Sequence, residues 1–165
     1  MNAQPFALRA AAPADVPAIV GLIGELAAFE DLSHLLQLRP ERLHEHLFGE
    51  RPVVEALVAQ VADDVVGFAL FFTNYSTFLG RPGLYLEDLY VQPAYRSQGI
   101  GRALLTRLAG LANQRGYGRF EWSVLDWNAD AIRLYQRMGA TLLPEWRICR
   151  VTGDALRDFP VTASG

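Results

Sequence analysis

The sequence predicts an α/β fold, α+β in the broad sense, with a mixed sheet and helices on both of its faces. The chain has 165 residues, of which 51% are hydrophobic and 20% charged, enough apolar surface for one compact core. Strand patterns dominate the first half after its helices, and a strand-helix-strand-helix-strand order fills the second half. We therefore expect a single domain over residues 1–165.

The first half begins with a strand and a helix. Residues 5–11 alternate apolar and polar side chains, which predicts a strand. Pro13-Ala14-Asp15 ends this strand, and an apolar stripe at helical spacing follows. The stripe consists of Val16, Ile19, Val20, Ile23, Leu26 and Ala27. A second, weaker helix is predicted over Pro40–Phe48, where Leu43 and Leu47 are one turn apart.

A β-hairpin and a further strand come next. Residues 55–61 and 65–74 have the composition of strands, and the short polar turn Ala62-Asp63-Asp64 separates them. Turn-forming residues are frequent between positions 74 and 83, which predicts a loop. Residues 84–91 are typical of another strand.

Helices and strands alternate in the second half. A helix is predicted to begin at Gly99 or Gly101 and to end near Gly116. Its apolar face consists of Ile100, Leu104, Leu108 and Leu111. The remaining predicted elements are a strand over 120–125, a helix over 128–138 and one or two closing strands over 140–151.

Composition argues against several classes of protein. The net charge of −3, without a run of like charges, is unlike the basic surface of nucleic-acid-binding proteins. No apolar stretch approaches the ~18 residues that cross a bilayer, and residues 1–5 lack signal-peptide character. Cys149 and the three scattered histidines, His34, His44 and His46, have no metal-ligand spacing. We expect a cytoplasmic protein without a metal, nucleic-acid or membrane partner.

A glycine-rich turn lies where a strand passes into a helix. Arg96-Ser97-Gln98-Gly99-Ile100-Gly101 brings backbone N–H groups and the positive end of a helix dipole together, which suits a phosphate group. The alternative is that the two glycines only permit a tight turn. A P-loop is excluded because the chain has no lysine, and a dinucleotide fingerprint is excluded because Leu104 stands where its third glycine or alanine would be.

The same turn resembles the Q/R-x-x-G-x-G/A motif of the GCN5-related N-acetyltransferases (GNAT), which bind acetyl-coenzyme A. Asp126-Trp127-Asn128, followed by Ala131, Leu134-Tyr135 and Gly139-Ala140, is similar to the second half of that family. Residues 74–77, 84–91 and 124–128 resemble the diamine acetyltransferase group, especially its thialysine-acetylating branch. The resemblance implies a mostly antiparallel sheet that splays between its fourth and fifth strands.

The resemblance also assigns residues to the cofactor. It implies that backbone groups of Leu89 and Val91 meet the pantetheine arm and that Asn128 touches the same arm. The N–H groups that would hold the pyrophosphate are those of Arg96, Ser97, Gln98, Gly99, Ile100 and Gly101. Members of the diamine group are usually homodimers, so we expect a homodimer here. Ser76 stands near the position where polyamine-preferring members carry an acid, which argues against spermidine and spermine.

Acetyl transfer requires that an amine with a pKa of roughly 10 lose its proton. Glu87 and Asp88 are adjacent in a predicted strand, so their side chains point to opposite faces unless a bulge intervenes. The resemblance implies that Glu87 faces the acceptor and relays the proton, directly or through water. The alternative is that Glu87 forms an ion pair with an arginine. For Asp88 we expect a structural hydrogen-bonding role.

The departing thiolate needs a proton donor, for which a phenol is competent. Asn128 and Tyr135 lie seven residues apart and so share one face of the predicted helix. Together with this shared face, the resemblance implies that Tyr135 contacts the cofactor and acts as the general acid. The alternative is that Tyr135 packs with Ile132 in the core. A backbone N–H near Leu89 would meet the developing oxyanion.

The remaining candidates concern the acceptor, a small-molecule amine. Glu30 is a candidate to attract a cationic amine, although acids near a helix end are often only solvated. Tyr75 and Phe78 are candidates for the pocket wall or for packing, and Asp126 and Trp127 complete the predicted acceptor contacts. Two alternatives remain open for the whole protein: acetylation of a protein amine, and a non-catalytic acyl-coenzyme A-binding module.

Overall fold

The computed structural model describes residues 5–159. The chain forms two compact units, Met1–Ser123 and Val124–Gly165, here termed the sheet unit and the C-terminal unit. The elements of the sheet unit are β1 (Ala7–Ala10), α1 (Val16–Phe29), α2 (Pro40–Phe48), β2 (Glu55–Val61), β3 (Asp64–Ser76), β4 (Arg81–Val91), α3 (Ile100–Gln114) and β5 (Phe120–Trp122). Short 3₁₀ turns precede α1, α2 and α3.

The five strands form one sheet in the order β1-β2-β3-β4-β5. Strands β1 to β4 pair with one another in antiparallel fashion, whereas β5 runs parallel to β4. A parallel neighbour requires a crossover connection, and α3 supplies it between β4 and β5. The mixed, mostly antiparallel sheet that the sequence predicts is confirmed.

Helices cover both faces of the sheet. One apolar cluster joins α1 and α2 to the strands through Val16, Ile19, Leu22, Leu43, Leu47, Ala56, Val58, Phe68, Leu70 and Tyr90. Because successive strand residues point to opposite faces, Leu57 and Ala59 face away from this cluster. Helix α3 contacts β2, β3 and β4 and buries Leu104 and Leu108 completely. Each such leucine stabilises the fold by about 1.5–3 kcal/mol relative to an exposed one.

The hairpin of β3 and β4 extends further than the predicted loop over 74–83 allows. Its strands pair as far as Ser76 opposite Arg81, and only four residues remain for the turn. Asn74 lies opposite Gly83, where a Cβ would sit 2.5 Å from the Asn74 Oδ1 atom. The turn-forming residues here therefore belong to the strands, because strand pairing outweighs their local preference.

An ion pair joins β1 to the beginning of α1. Arg9 donates from Nη1 and Nη2 to the two carboxylate oxygens of Asp15, at 2.6 and 2.9 Å, and the Ala12 N–H donates to Asp15 Oδ2 at 2.7 Å. These hydrogen bonds, that from Arg9 above all, lower the pKa of Asp15 despite its burial. The stabilisation is present above the ordinary carboxyl pKa and is lost as the pH falls through the lowered one.

The C-terminal unit contains two helices, α4 (Ala129–Arg137) and α5 (Gly153–Arg157). The α4 prediction agrees to within one residue at each end, whereas the predicted closing strand over 140–151 is wrong: residues 140–152 are irregular. Pro144 interrupts the segment, and the Trp146 N–H donates to the Leu143 carbonyl in a turn. An apolar pattern becomes a strand only when a partner strand supplies its hydrogen bonds. The strand predicted over 120–125 is likewise shorter, ending at Trp122.

Among residues 5–159, none of the helices has the length and apolar character needed to span a bilayer.

Candidate functional site

The edge of β4 that faces β5 is only partly paired. The last pair between these strands is Leu86 opposite Trp122, and β4 continues to Val91. Within the described residues, the part of β4 after Leu86 therefore has no partner on β5. Backbone donors and acceptors there are available to a ligand that lies along the strand. Leu89 and Val91, predicted to meet the pantetheine arm, both lie on this stretch.

The turn between β4 and α3 contains two residues with a left-handed backbone. Ser97 has φ = 61° and Gly99, the N-cap of α3, has φ = 85°. A Cβ placed on Gly99 or Gly101 would meet no heavy atom within 4 Å. A ligand can therefore approach the backbone closely at both glycines. Gly99 is also required by its own φ, because other residues are strained in this region.

Backbone N–H groups converge at the beginning of α3. The first helical hydrogen bond runs from the Ala103 N–H to the Gly99 carbonyl at 2.9 Å. The N–H groups of Ile100, Gly101 and Arg102 precede it and have no partner in the helix ladder. They form an anion-binding geometry that fits a pyrophosphate. The Arg96 N–H, predicted to belong to this set, already donates to the Pro93 carbonyl at 3.3 Å.

The side chains of Gln98 and Arg96 are held by residues that precede the turn. Gln98 donates from Nε2 to the Ala94 carbonyl at 3.3 Å, and its Oε1 atom is buried without a hydrogen-bond partner among the described residues. Arg96 donates from Nε to the Val91 carbonyl at 2.8 Å. Both side chains thus point back toward residues that precede the turn and leave the two glycines open.

A β-bulge lies at Glu87. Leu70 pairs with Asp88 whereas the next residue, Phe71, pairs with Leu86, which leaves Glu87 as the extra residue of β4. Directly opposed residues of two strands share a face, so Asp88 lies on the face of Leu70, the face that α1 covers. Glu87 is exposed and Asp88 is partly buried. The sequence allows for a bulge at Glu87 and Asp88, and the structure contains one.

Asp88, beside the bulge, lies within electrostatic range of two other carboxylates. Burial above all, together with the nearby charges of Glu87 and Glu30, raises the pKa of Asp88 to about 6. Burial also raises the pKa of Glu30, which directly follows α1. No hydrogen bond to the Asp88 carboxylate is found among residues 5–159, so the structural role expected for it is not observed. The three side chains form a strongly negative site next to the unpaired edge of β4.

The candidates on the β3–β4 hairpin lie away from this site. Tyr75 lies opposite Pro82 of β4. Pro82 is five residues before Glu87, so Tyr75 and Glu87 are about 16 Å apart along the strand direction. Phe78 lies in the hairpin turn and is 98% exposed. Within one chain, a small acceptor beside Glu87 does not reach either of them.

The C-terminal unit carries the other predicted residues. The Asn128 side chain accepts a hydrogen bond from the Ala131 N–H at 3.3 Å and caps α4, as its position predicts. Tyr135 lies on α4 and is partly buried. Asp126 and Trp127 directly precede the cap and are exposed, Trp127 to 55%.

Sequence reasoning missed two contributors to the site. The Arg102 N–H belongs to the first turn of α3 and was detectable from the position of Gly99, because three N–H groups after an N-cap lack helical partners. The burial of Asp88 and its proximity to Glu30 had no sequence signal, since both depend on the bulge and on the packing of α1. Within the described residues, no cluster of three or more His, Cys, Asp or Glu side chains has a metal-binding arrangement.

Comparison with a family model gives a match over most of the chain. Residues 25–140 match the model described as the acetyltransferase (GNAT) family. This range includes the last five residues of α1, the bulged part of β4, the glycine-rich turn and α4.

Individual relatives agree with this match. A thialysine N-epsilon-acetyltransferase of Mus musculus is 40% identical, with 92% of this chain and 95% of the relative covered. An L-ornithine N5-acetyltransferase of Arabidopsis thaliana is 36% identical, with 91% and 86% covered. Among solved structures, an integron cassette protein from V. cholerae has a TM-score of 0.76 and 25% identity over 92% of this chain and 95% of its own.

We predict that Gly99→Val weakens binding of acetyl-coenzyme A by at least about tenfold. The substitution combines backbone strain at φ = 85° with a side chain in the space through which a ligand approaches. Isothermal titration calorimetry measures the affinity, and a melting curve shows that the variant is folded. Gly110→Val is the matched control, because Gly110 lies inside α3 with open space and no positive φ. Equal affinity of a folded Gly99→Val variant would contradict the assignment.

Proposed function

Because the chain belongs to the GNAT acetyltransferase family and is an acetyl-coenzyme A-dependent N-acetyltransferase, we propose that its acceptor is the primary amine of a small cation. Thialysine, a lysine-like amine or a diamine has this chemistry. The relatives named for thialysine and ornithine support this substrate class. The proposed reaction is a direct attack of the amine on the acetyl group while both substrates are bound.

The observation that carries this proposal is the carboxylate site of Glu30, Glu87 and Asp88. The charges of Glu87 and Glu30 disfavour ionisation of Asp88, which its burial already opposes. An ammonium group placed there relieves this repulsion and is itself attracted. A neutral or anionic acceptor gains nothing from the same arrangement. The unpaired edge of β4 next to it gives the acetyl donor a place within reach of the acceptor.

The chain's own groups fit the donor. We assign the pyrophosphate to the N–H groups at the beginning of α3, and the pantetheine arm to the backbone of Leu89 and Val91 and to Asn128. The open space before Gly99 and Gly101 supports this assignment. When bound, acetyl-coenzyme A supplies the acetyl thioester. A backbone N–H near Leu89 would stabilise the negative charge that develops on the carbonyl oxygen.

Glu87 is the proposed acceptor of the amine proton, directly or through water. Its exposure on the bulge gives it access to both the amine and solvent. Asp88 contributes the negative charge that holds the ammonium group, and its pKa of about 6 keeps it mostly ionised at neutral pH. The amine proton can then pass to Glu87 while Asp88 keeps its negative charge.

Tyr135 is the proposed donor of a proton to the departing sulfur. Its position in α4, two turns after the Asn128 cap, supports this role, as does the motif that it matches. Asp126 and Trp127, immediately before the cap, are proposed to contact the acceptor. The homodimer stays a prediction, supported by the exposed Tyr75 and Phe78, and so do the single domain and the cytoplasmic location.

The first prediction concerns the acceptor. With acetyl-coenzyme A as donor, we expect thiol release to be fastest with thialysine, ornithine or a short diamine, slower with spermidine, and slowest with a peptide amine. Each acceptor carrying a blocked amine is the control for hydrolysis. A peptide preferred by more than about tenfold would favour a protein acetyltransferase. Binding of acetyl-coenzyme A without thiol release from any acceptor would favour a non-catalytic module.

The second prediction separates Glu87 from Asp88. Glu87→Gln removes the proposed base, so kcat should fall by about 100-fold or more. The variant also removes a negative neighbour of Asp88, so the pKa of Asp88 should fall below about 6 and the acid limb of the kcat/KM profile should move to lower pH. Equal rates for Glu87→Gln and the parent from pH 6 to 9 would show that solvent accepts the proton.

Asp88→Asn is the companion variant. The pKa of Asp88 is higher in the folded than in the unfolded state, so ionisation of this carboxyl lowers the free energy of unfolding. The loss grows between about pH 4 and pH 6 and is complete above that range. Asp88→Asn should therefore raise the free energy of unfolding at pH 7.5, by at most about 3 kcal/mol, and leave it unchanged near pH 4. It should also raise the KM for a cationic acceptor.

The third prediction concerns Tyr135. Tyr135→Phe deletes only the hydroxyl, so kcat should fall by about 100-fold or more when thiolate departure limits turnover, with little change in donor affinity. Tyr117→Phe is the matched control, because its hydroxyl bonds Thr73 Oγ1 at 2.8 Å outside the proposed site. A normal kcat with a lowered melting temperature would show that Tyr135 is a packing residue.

A further inference from the structure

The Arg96 side chain contacts two separate elements at once. Its guanidinium carbon lies 5.1 Å from the centre of the Phe29 ring and 5.2 Å from the centre of the Tyr90 ring. Its Nε atom donates to the Val91 carbonyl at 2.8 Å. Phe29 is the last residue of α1, and Tyr90 and Val91 end β4. One side chain of the glycine-rich turn thus fastens the end of α1 to the end of β4.

A polar contact on the preceding turn of α1 reinforces this connection. Glu25 accepts a hydrogen bond from Gln92 Nε2 at 2.9 Å. Tyr90 is buried, and its hydroxyl lies within electrostatic range of both Glu25 and Arg96. The Arg96 guanidinium lies over the rings of Phe29 and Tyr90. Its Nε–H group donates in a fixed direction to the Val91 carbonyl. The position of α1 relative to β4 therefore depends on the geometry of an arginine, not only on its charge.

The consequence for the site follows from the next residue along the chain. Glu30 directly follows Phe29 and acts electrostatically on Asp88. The turn that carries Arg96 also carries the N–H groups proposed to hold the donor. Arg96 is thereby the common attachment of the acceptor side and the donor side.

We propose that Arg96 is a positioning residue for acetyl transfer, holding the end of α1 and the glycine-rich turn in fixed relation to β4, rather than a side-chain ligand of the pyrophosphate. The inference rests on the proposed function because it takes Glu30 as part of the acceptor side. A positioning role requires a planar cation against two rings together with an N–H in a fixed direction, a combination that lysine does not offer. A phosphate ligand requires only a positive charge at that place.

The experiment compares Arg96→Lys with Phe29→Leu. Arg96→Lys keeps the charge but loses the planar stacking group, and Phe29→Leu removes one stacking face while leaving every charge in place. Both should lower kcat/KM for the acceptor by about tenfold or more, with the affinity for acetyl-coenzyme A within about twofold of the parent. Arg42→Lys is the matched control, since Arg42 is exposed on α2. It should change neither quantity.

Three results would overturn the inference. Full activity of Arg96→Lys together with a large loss of acetyl-coenzyme A affinity in Arg96→Met would show that the charge binds phosphate. Normal kinetics of Phe29→Leu would show that the stacking has no functional role. A lowered melting temperature with unchanged kcat and KM in both variants would show that the contact is only structural. The variants are compared with the parent on whichever amine the parent acetylates. A wrong acceptor class would therefore change the amine preference of the parent, whereas a wrong role for Arg96 would change only the difference between the variants and the parent.

Discussion

The site depends on the early end of β5, which pairs with β4 over only a short parallel contact. A sheet strand normally satisfies its backbone groups on both sides, and an unpaired edge is costly when buried. Here β4 continues to Val91 although its last partner on β5 faces Leu86. The edge after Leu86 therefore lacks a strand neighbour in the described chain, and an extended ligand arm with its own amides can complete it. The glycine-rich turn follows at the end of the same strand, so one continuous stretch of backbone carries the groups proposed to hold the donor arm and the phosphates.

The bulge in β4 gives this edge its charge. An unbulged strand places Glu87 and Asp88 on opposite faces. The extra residue at Glu87 changes the register, so that Asp88 shares a face with Leu70 under α1 while Glu87 stays exposed. Burial of Asp88 beside Glu30 costs stability, and its raised pKa reports that cost. Such destabilised carboxylates are common at functional sites, where a bound cation offsets the repulsion.

Arginine has a structural use in this molecule beyond its charge. The chain contains no lysine, and several of its arginines join elements of the sheet unit, two of them at the ends of α1. Arg9 connects β1 to the beginning of α1 through Asp15, and Arg96 connects the other end of α1 to β4. Helix α1 is thus fixed at both ends by planar guanidinium groups. Glu30 lies at the end that Arg96 fixes, which connects the stability of the helix to the geometry of the site.

The sequence by itself determined the order of the elements from β1 to α4, the faces of α1 and α3, the N-cap at Asn128 and the glycine-rich turn. These follow from local periodicity, from cap chemistry and from the need for glycine at a positive φ, all of which act within a few residues. Tertiary structure alone decided the length of the β3–β4 hairpin, the irregular backbone over 140–152, the bulge at Glu87 and the place of Asp88 and Arg96. Each of these depends on which strand or helix lies opposite, and pairing or burial by a distant segment overrides a local preference.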